Sequence, residues 1–340
     1  MVMGASGGAP PDVGSSQITR AEAAALLRSA HSVVLYTHRN PDGDSVGCVT
    51  ALAAALEALG KRVWTICPDP LPTYLLAVPR SGAITTGPEL VAADLVVSID
   101  VSDPGLLLPL AAAEPGYFAG VHSLNIDHHF SNTRYARYNL VDHTAAAATE
   151  IVFDLIRELG LSLDLDLATS LMYGIVNDTH SFQNSNTTPR TLAMSSELVA
   201  AGANLSRIVF DLLLVRSAAS ARLWALVLPT LLFHDHERVA FLTVTREALA
   251  RARAGMTDAD GLVEFLRNIR DVDLAVLFKE TDSDTYRLSM RASEAVDATV
   301  VAGAFGGGGH QRAAGCDISA PLAVAQAEVL AEYLGARQAG

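Results

Sequence analysis

Three short apolar runs in the first half of the chain end in the same way, and that habit restricts the fold more than any other feature. Val33-Val34-Leu35-Tyr36-Thr37 leads into His38-Arg39-Asn40-Pro41-Asp42-Gly43-Asp44. Leu95-Val96-Val97-Ser98-Ile99 leads into Asp100, and Leu124-Asn125-Ile126 leads into Asp127-His128-His129. Each run reads as a buried strand of a parallel sheet. Between them lie helical stretches: Thr19 to Ala30 opens on the capping box Thr19-Arg20-Ala21-Glu22, and Ser45 to Leu59 is ended by Gly60. Strands and helices alternating at this length predict a doubly wound α/β sheet. The C-terminal ends of its strands form the edge where such sheets bind ligands. That edge collects His38, Asp42, Asp44, Asp100, Asp127, His128 and His129.

Taken alone, the His38–Asp44 turn reads equally well as a capped helix with an incidental histidine, because carboxylates are ordinary N-caps. Capping does not predict three strands that each deliver acids or imidazoles to one edge. Further along, helices are expected over Ala146–Leu159, Asp164–Val176 and Pro189–Ala201. Asp178 falls at the end of the second, against the negative end of its dipole, and an acid so placed has either a functional reason or a locally solvated side chain. Leu205–Phe233 reads as a helical connector. At His234-Asp235-His236-Glu237 a second α/β pattern begins, with strands at Arg238–Val244 and Asp273–Lys279 and a hairpin arm at Thr285–Arg291. The expected organisation is a flexible tail over 1–18, a parallel-sheet domain over 19–204, the connector over 205–235, and a smaller α/β domain over 236–340. The active site is expected in the cleft between the two domains.

Composition narrows the function. With 340 residues, half of them apolar and 18% charged, the chain can build two cores. No apolar run is long enough to span a bilayer, and the Gly/Pro/Ser-rich first residues lack the apolar segment of a signal peptide. Three cysteines without CxxC spacing, Cys48, Cys67 and Cys316, argue against a disulfide framework or a structural zinc site and fit a reducing cytoplasm. A net charge of −13 excludes binding of long nucleic acid by bulk electrostatics. If the substrate carries phosphates, the attraction must therefore come from metals and a few local basic groups.

The edge residues offer carboxylate and imidazole donors and no thiolate, a set suited to manganese or magnesium. They suffice for two ions, with Asp100 placed to bridge them, and two such ions activate a water for in-line attack on phosphorus. In the second domain, Gly306-Gly307-Gly308-Gly309-His310 reads either as a linker or, preferably, as a backbone nest for a phosphate. Arg291, on the preceding strand, offers a bidentate contact to phosphate or carboxylate, or is an ordinary exposed strand arginine. His31, His122, His143, His234 and His236 lack partner spacing and are expected at the surface.

Together these residues resemble the DHH phosphoesterase superfamily. The first motif, His-x-x-x-Asp-x-Asp, is His38, Asp42 and Asp44; the isolated acid is Asp100; Asp-His-His is Asp127-His128-His129; and the fourth-motif acid is Asp178. Gly307-Gly308-Gly309-His310 resembles the hallmark of the DHH-associated C-terminal domain. Length sets the chain apart from RecJ-type exonucleases and membrane-bound cyclic-dinucleotide phosphodiesterases, and the glycine motif from family II pyrophosphatases. It is most similar to the short NrnA-like group of nanoRNases that also remove the 3′-phosphate of 3′-phosphoadenosine 5′-phosphate.

The resemblance implies one manganese on His38, Asp42 and Asp100 and a second on Asp44, Asp100, His128 and Asp178, with magnesium as a substitute. His129 would face the scissile phosphate, while Arg291 and Gly307–His310 would hold the terminal phosphate or a base. It further implies short oligonucleotides and small phosphorylated nucleotides as substrates, with a cyclic-dinucleotide phosphodiesterase or a non-catalytic nucleotide-binding regulator as alternatives. A homodimer is expected from the apolar stretch around Trp224–Leu232. His180 departs from the small residue usual in relatives, which leaves steric, ligating and substrate-contacting roles open. Gln183 stands where many relatives carry arginine.

Overall fold

The computed structural model describes residues 15–88, 90–108 and 117–338; most of the expected tail, residues 1–14, lies outside them. The chain divides into two compact units that meet in sequence at Val215 and Arg216.

The first unit is built on a seven-stranded parallel sheet. Its elements in chain order are β1 (Ser16–Gln17), α1 (Arg20–Ser29), β2 (Ser32–Tyr36), α2 (Gly43–Ala58), β3 (Arg62–Cys67), β4 (Thr85–Thr86), β5 (Leu95–Ile99), a short helix α3 (Tyr117–Gly120), β6 (Ser123–Asp127) and β7 (Tyr138–Val141). Helices α4 (Ala148–Glu158), α5 (Leu165–Asp178), α6 (Pro189–Ala200) and α7 (Leu205–Val209) follow. The strand order is β1-β7-β6-β5-β2-β3-β4. Residues 16 and 17, inside the expected tail, instead pair with Tyr138 and Asn139 as an edge strand.

Every residue of β2 and β5 is buried, and their alternating side chains supply two cores. Val33, Leu35, Leu95, Val97 and Ile99 pack with α2, α4 and α5, whereas Val34, Tyr36 and Val96 pack with Leu107 and Phe118. The chain steps from β2 outward through β3 and β4, then returns to place β5 on the other side of β2 and moves out through β6 and β7. The order therefore reverses between β2 and β5, the position where open sheets leave a crevice at their C-terminal edge.

Helices α2 and α5 cross unusually close. A Cβ on Gly47 would collide with the Ser170 carbonyl oxygen, and one on Gly174 would meet Thr149 and lie 2.5 Å from Asp44 Oδ1. These two glycines let the ends carrying Asp44 and Asp178 approach. Gly47→Ala is expected to destabilise the first unit by about 1–3 kcal/mol, the usual cost of overpacking. Denaturant unfolding measures it, and an unchanged midpoint would refute the close-packing argument.

The second unit is a six-stranded mixed sheet of order β12-β13-β11-β10-β9-β8. The strands are β8 (Leu232–His234), β9 (Val239–Val244), β10 (Leu274–Asp282), β11 (Thr285–Ala292), β12 (Gly308–His310) and β13 (Ala313–Ser319). Its helices are α8 (Ala218–Val227), α9 (Arg246–Ala252), α10 (Leu262–Arg267), α11 (Ala298–Gly303) and α12 (Leu322–Gln338). The expected hairpin is present as β10 and β11, turning at Ser283-Asp284.

The continuous helix expected over Leu205–Phe233 is not. After α7 the chain makes one wide π turn over Phe210–Leu214, and a new helix, α8, starts under a Ser217 N-cap. Leu232 and Phe233 belong to β8. Leu223 and Val227 are buried in the second unit's own core, which accounts for part of that stretch's apolar character. No single described helix is long and apolar enough to cross a membrane.

Candidate metal centre

The sheet's point of reversal positions the motif residues. His38 lies two residues beyond β2, Asp100 directly beyond β5, and Asp127 ends β6, with His128 and His129 following. Since β6, β5 and β2 are neighbours, their C-terminal ends bring these side chains together. Asp100 adopts a left-handed backbone with φ of 61°, a conformation aspartate tolerates better than most residues. Its N–H still donates to Ile126 O at 2.8 Å, so the residue turns without leaving the sheet.

Asp42 is both a helix cap and a member of the cluster. Its Oδ1 accepts from the backbone N–H groups of Asp44 and Ser45 at 3.1 and 3.0 Å, and it lies 3.7 Å from His38 Nε2. The two readings of the opening motif are therefore one arrangement. Asp44, wholly buried, caps a different helix: Oδ2 accepts from Ala148 N at 2.6 Å and Oδ1 from Thr149 N at 3.0 Å, at the start of α4. Residue 147, the α4 N-cap, is alanine and supplies no side-chain bond, so Asp44 fills that role from across the unit.

Two sets of donor atoms result, each with all members within 4.8 Å of one another: His38, Asp42 and Asp100; and Asp44, His128 and Asp178. Asp100 reaches both. Its Oδ2 lies 3.5 Å from His38 Nε2 and its Oδ1 3.6 Å from His128 Nε2. His128 Nε2 is also 3.2 Å from Asp178 Oδ2 and 4.0 Å from Asp44 Oδ2. Both imidazoles are oriented through their other nitrogen, His38 Nδ1 at 2.7 Å from Arg39 O and His128 Nδ1 at 3.4 Å from Ala145 O. Donation from Nδ1 to a carbonyl directs Nε2 at the cluster.

The electrostatics record crowded acids. Burial, with Asp178 adding to it, pushes Asp44 up to about 7, and burial with Asp44 nearby pushes Asp100 up to about 6. Burial likewise raises Asp178. Burial would lower His38, but the neighbouring Asp100 and Asp42 carboxylates outweigh it and hold the imidazole at about 11. Burial opposes His128 in the same way, yet Asp178, Asp44 and Asp100 hold it at about 10. In the absence of a metal, protons thus neutralise this centre.

His129 is held differently. Its Nδ1 lies 2.8 Å from Asp127 Oδ1, and this bond raises its pKa. Asp127 is fully buried and also accepts from the His128 backbone at 2.8 Å and from the Asn132 amide. It acts as the holder of His129 and of the loop. A further set of donors, Asp100, Asp127, His128 and His129, also converges, but Asp127 is already committed to these bonds.

Residues beyond the motifs complete the centre. The Asn177 amide donates to Asp42 Oδ2 at 3.2 Å and to Asp178 Oδ1 at 3.0 Å, tying one donor set to the other. Asn132 also donates to Asn125 Oδ1 at 2.8 Å, and Asn125 in turn donates to Ser98 Oγ at 3.1 Å. Asn177 precedes a motif acid, a weak signal; Asn125 and Asn132 carry none.

His180 is exposed in a left-handed turn, with φ of 47°, 55° and 67° at His180, Ser181 and Phe182, and it joins neither donor set. Gln183 is exposed. His143, expected at the surface, is exposed but sits beside the centre, its Nδ1 3.4 Å from His128 O.

In the second unit, Arg291 NH2 lies 2.9 Å from Glu264 Oε1, and NH1 donates to Met290 O at 3.0 Å. The glycine run is no linker, for Gly308, Gly309 and His310 form β12 against β13. Close packing explains two of its members: a Cβ on Gly307 would collide with Gly315 O, and one on Gly309 would lie 2.5 Å from Ala313 O. Gly308 has open space where its Cβ would be.

A divalent ion fits the donors. His128 Nε2 and Asp100 Oδ1 are buried without a hydrogen-bond partner, and a buried polar atom in that condition costs free energy unless a ligand answers it. All six cluster side chains are oxygen or imidazole-nitrogen donors, the set expected for manganese or magnesium.

Comparison with known proteins agrees with this geometry. A family model described as the DHH family, N-terminal domain, matches residues 32–175, and the DHHA1 domain model matches residues 238–334. A Thermus thermophilus protein named bifunctional oligoribonuclease and PAP phosphatase NrnA is 31% identical over 84% of this chain and 84% of its own. The fold is shared with an exopolyphosphatase-related protein from Bacteroides fragilis, at a TM-score of 0.86 and 22% identity over 94% of this chain and 96% of that one. It is also shared, at a TM-score of 0.55 and 16% identity, with RecJ from Thermus thermophilus in complex with Mn2+, over 94% of this chain and 55% of that one. With both domain models matched in order and a relative alike across most of both chains, the chain belongs to the DHH family of phosphoesterases.

Proposed function

We propose that this protein hydrolyses short oligoribonucleotides to 5′-mononucleotides and 3′-phosphoadenosine 5′-phosphate to AMP, using two manganese ions for which magnesium can substitute. The observation that carries this reading is the convergence of six residues with oxygen and nitrogen donors in two sets of three, with Asp100 of the first set also 3.6 Å from His128 of the second. The name of the Thermus relative, matched over most of its length, supports the substrate class, and RecJ bound to Mn2+ supports the metal. His38, Asp42 and Asp100 would hold one ion, and Asp44, Asp100, His128 and Asp178 the other. Bound there, the ions supply positive charge against phosphate oxygens and lower the pKa of water.

The chain's own residues do the rest. Asp127 fixes the His129 ring through Nδ1 and, by raising its pKa, favours the protonated form. His129 Nε2 then gives its proton to the leaving oxygen as water adds to phosphorus and the P–O bond breaks; the proton lost by the water passes to solvent, which reprotonates His129. Arg291 and the Gly307–His310 strand take the terminal phosphate or base, Arg291 exchanging Glu264 for the substrate anion. Three buried free thiols agree with a reducing cytoplasm. A homodimer is part of the proposal, and a monomer by light scattering would remove it.

The test offers the manganese-loaded protein an RNA dinucleotide, a 24-mer, a cyclic dinucleotide and the bisphosphate nucleotide, and compares initial rates. Faster turnover of the dinucleotide and bisphosphate is expected. An equal or higher rate on the 24-mer would sink the short-substrate reading, and no turnover of any would leave a binding protein. Arg291→Ala is expected to raise the dinucleotide KM by roughly 10- to 100-fold, the worth of a charged hydrogen bond; an unchanged KM would remove Arg291 from the substrate site.

A further inference from the structure

Phe130 follows His129 directly and is 90% exposed, the most open large apolar side chain among the described residues. Isolated exposed apolar residues are ordinary, but this one differs in its setting. Its ring meets the imidazole of His143, with centroids 5.5 Å apart and planes at 57°. His143 is fixed from two directions, Nδ1 at 3.4 Å from His128 O and Nε2 at 3.4 Å from the Arg134 guanidinium. The loop carrying Phe130 is anchored as well: Asn132 N donates to His129 O at 3.2 Å, and Thr133 N to Ser102 O at 2.9 Å. Two tilted aromatic rings, a phenyl and an imidazole that are both open to solvent, therefore meet from two neighbouring segments, and the His143 ring is tied to the backbone of the cluster residue His128.

We propose that Phe130 and His143 form a stacking platform for the nucleobase adjoining the scissile phosphate. The proposal rests on the reading of the site as a nucleotide phosphoesterase. A ring face binds any base, so it gives affinity without sequence preference. It also gives affinity without positive charge, which suits a chain of net charge −13. A platform one base wide, next to the reacting centre, fits substrates of a few nucleotides.

The test compares an RNA dinucleotide with its abasic counterpart, in wild type, Phe130→Ala and Phe130→Trp, alongside calorimetric titration with AMP. Stacking of one base is worth roughly 5- to 100-fold in affinity. Phe130→Ala is therefore expected to raise the dinucleotide KM and the AMP Kd within that range. The effect on the abasic substrate is expected to be much smaller, and Phe130→Trp should restore tight binding. Circular dichroism checks the fold, which an exposed side chain should not disturb. Equal KM and Kd in Phe130→Ala and wild type would overturn the platform while leaving the hydrolytic reading intact. Wild type turning over no dinucleotide would overturn the hydrolytic reading; the AMP titration then decides the platform alone, and loss of affinity in Phe130→Ala upholds it.

Discussion

Asp100→Asn is expected to lower phosphoester hydrolysis by about 10³-fold while leaving the protein folded, a loss at the upper end of that for one preorganised electrostatic group. Asp100 is the carboxylate within 3.6 Å of both His38 and His128, and its Oδ1 is buried without a hydrogen-bond partner. Asparagine keeps the size and tolerates the left-handed backbone at φ 61°, so the change removes charge and little else. It withdraws one ligand from each proposed ion site and weakens the hold on both imidazoles. Initial rates with saturating manganese give the catalytic effect, and circular dichroism gives the fold. A variant within tenfold of wild type would remove the bridging role.

The second large effect concerns protons. In the metal-free protein His38 is held at about 11 and His128 at about 10, so both are protonated at neutral pH. An ion bound through Nε2 must displace those protons. The sign follows: as pH rises from 6 to 9 the protons are lost more readily and the apparent affinity for manganese increases. With one proton leaving each imidazole, the gain approaches about 100-fold per pH unit for the pair of ions. It levels off above the two pKa values. Asp44, at about 7, contributes a further proton at the acid end of this range. Competition with a chelator of known pH dependence measures the slope, and an affinity independent of pH would refute imidazole ligation.

Much of this was legible in the chain, for identifiable reasons. β2 and β5 are buried on both faces, so their apolar runs stand out, and the motif residues fall where those strands end. β1 and β4 have two residues each and present no pattern to read. β7 mixes Tyr138 and Asn139 with Leu140 and Val141, and its neighbours decide its conformation. The Asx and amide contacts were hidden by distance along the chain. Asn177 meets Asp42 across 135 positions, and Asp44 meets Ala148 across 104. Spacing rules act locally, so a cap supplied from another element leaves no local trace. The continuous helix expected after Leu205 is absent for the opposite reason: one apolar stretch spans two elements, and the Ser217 N-cap that starts the second lies within it.

The capping role of Asp42 and Asp44 has a consequence for how this protein is supplied with metal. Each carboxylate is already held in place by backbone amides of α2 or α4, so the pocket's shape is paid for by the fold itself. The proposed ions would then be interchangeable parts rather than keystones. Stripping the proposed ions is then expected to leave a folded, idle molecule that resumes work once an ion is restored.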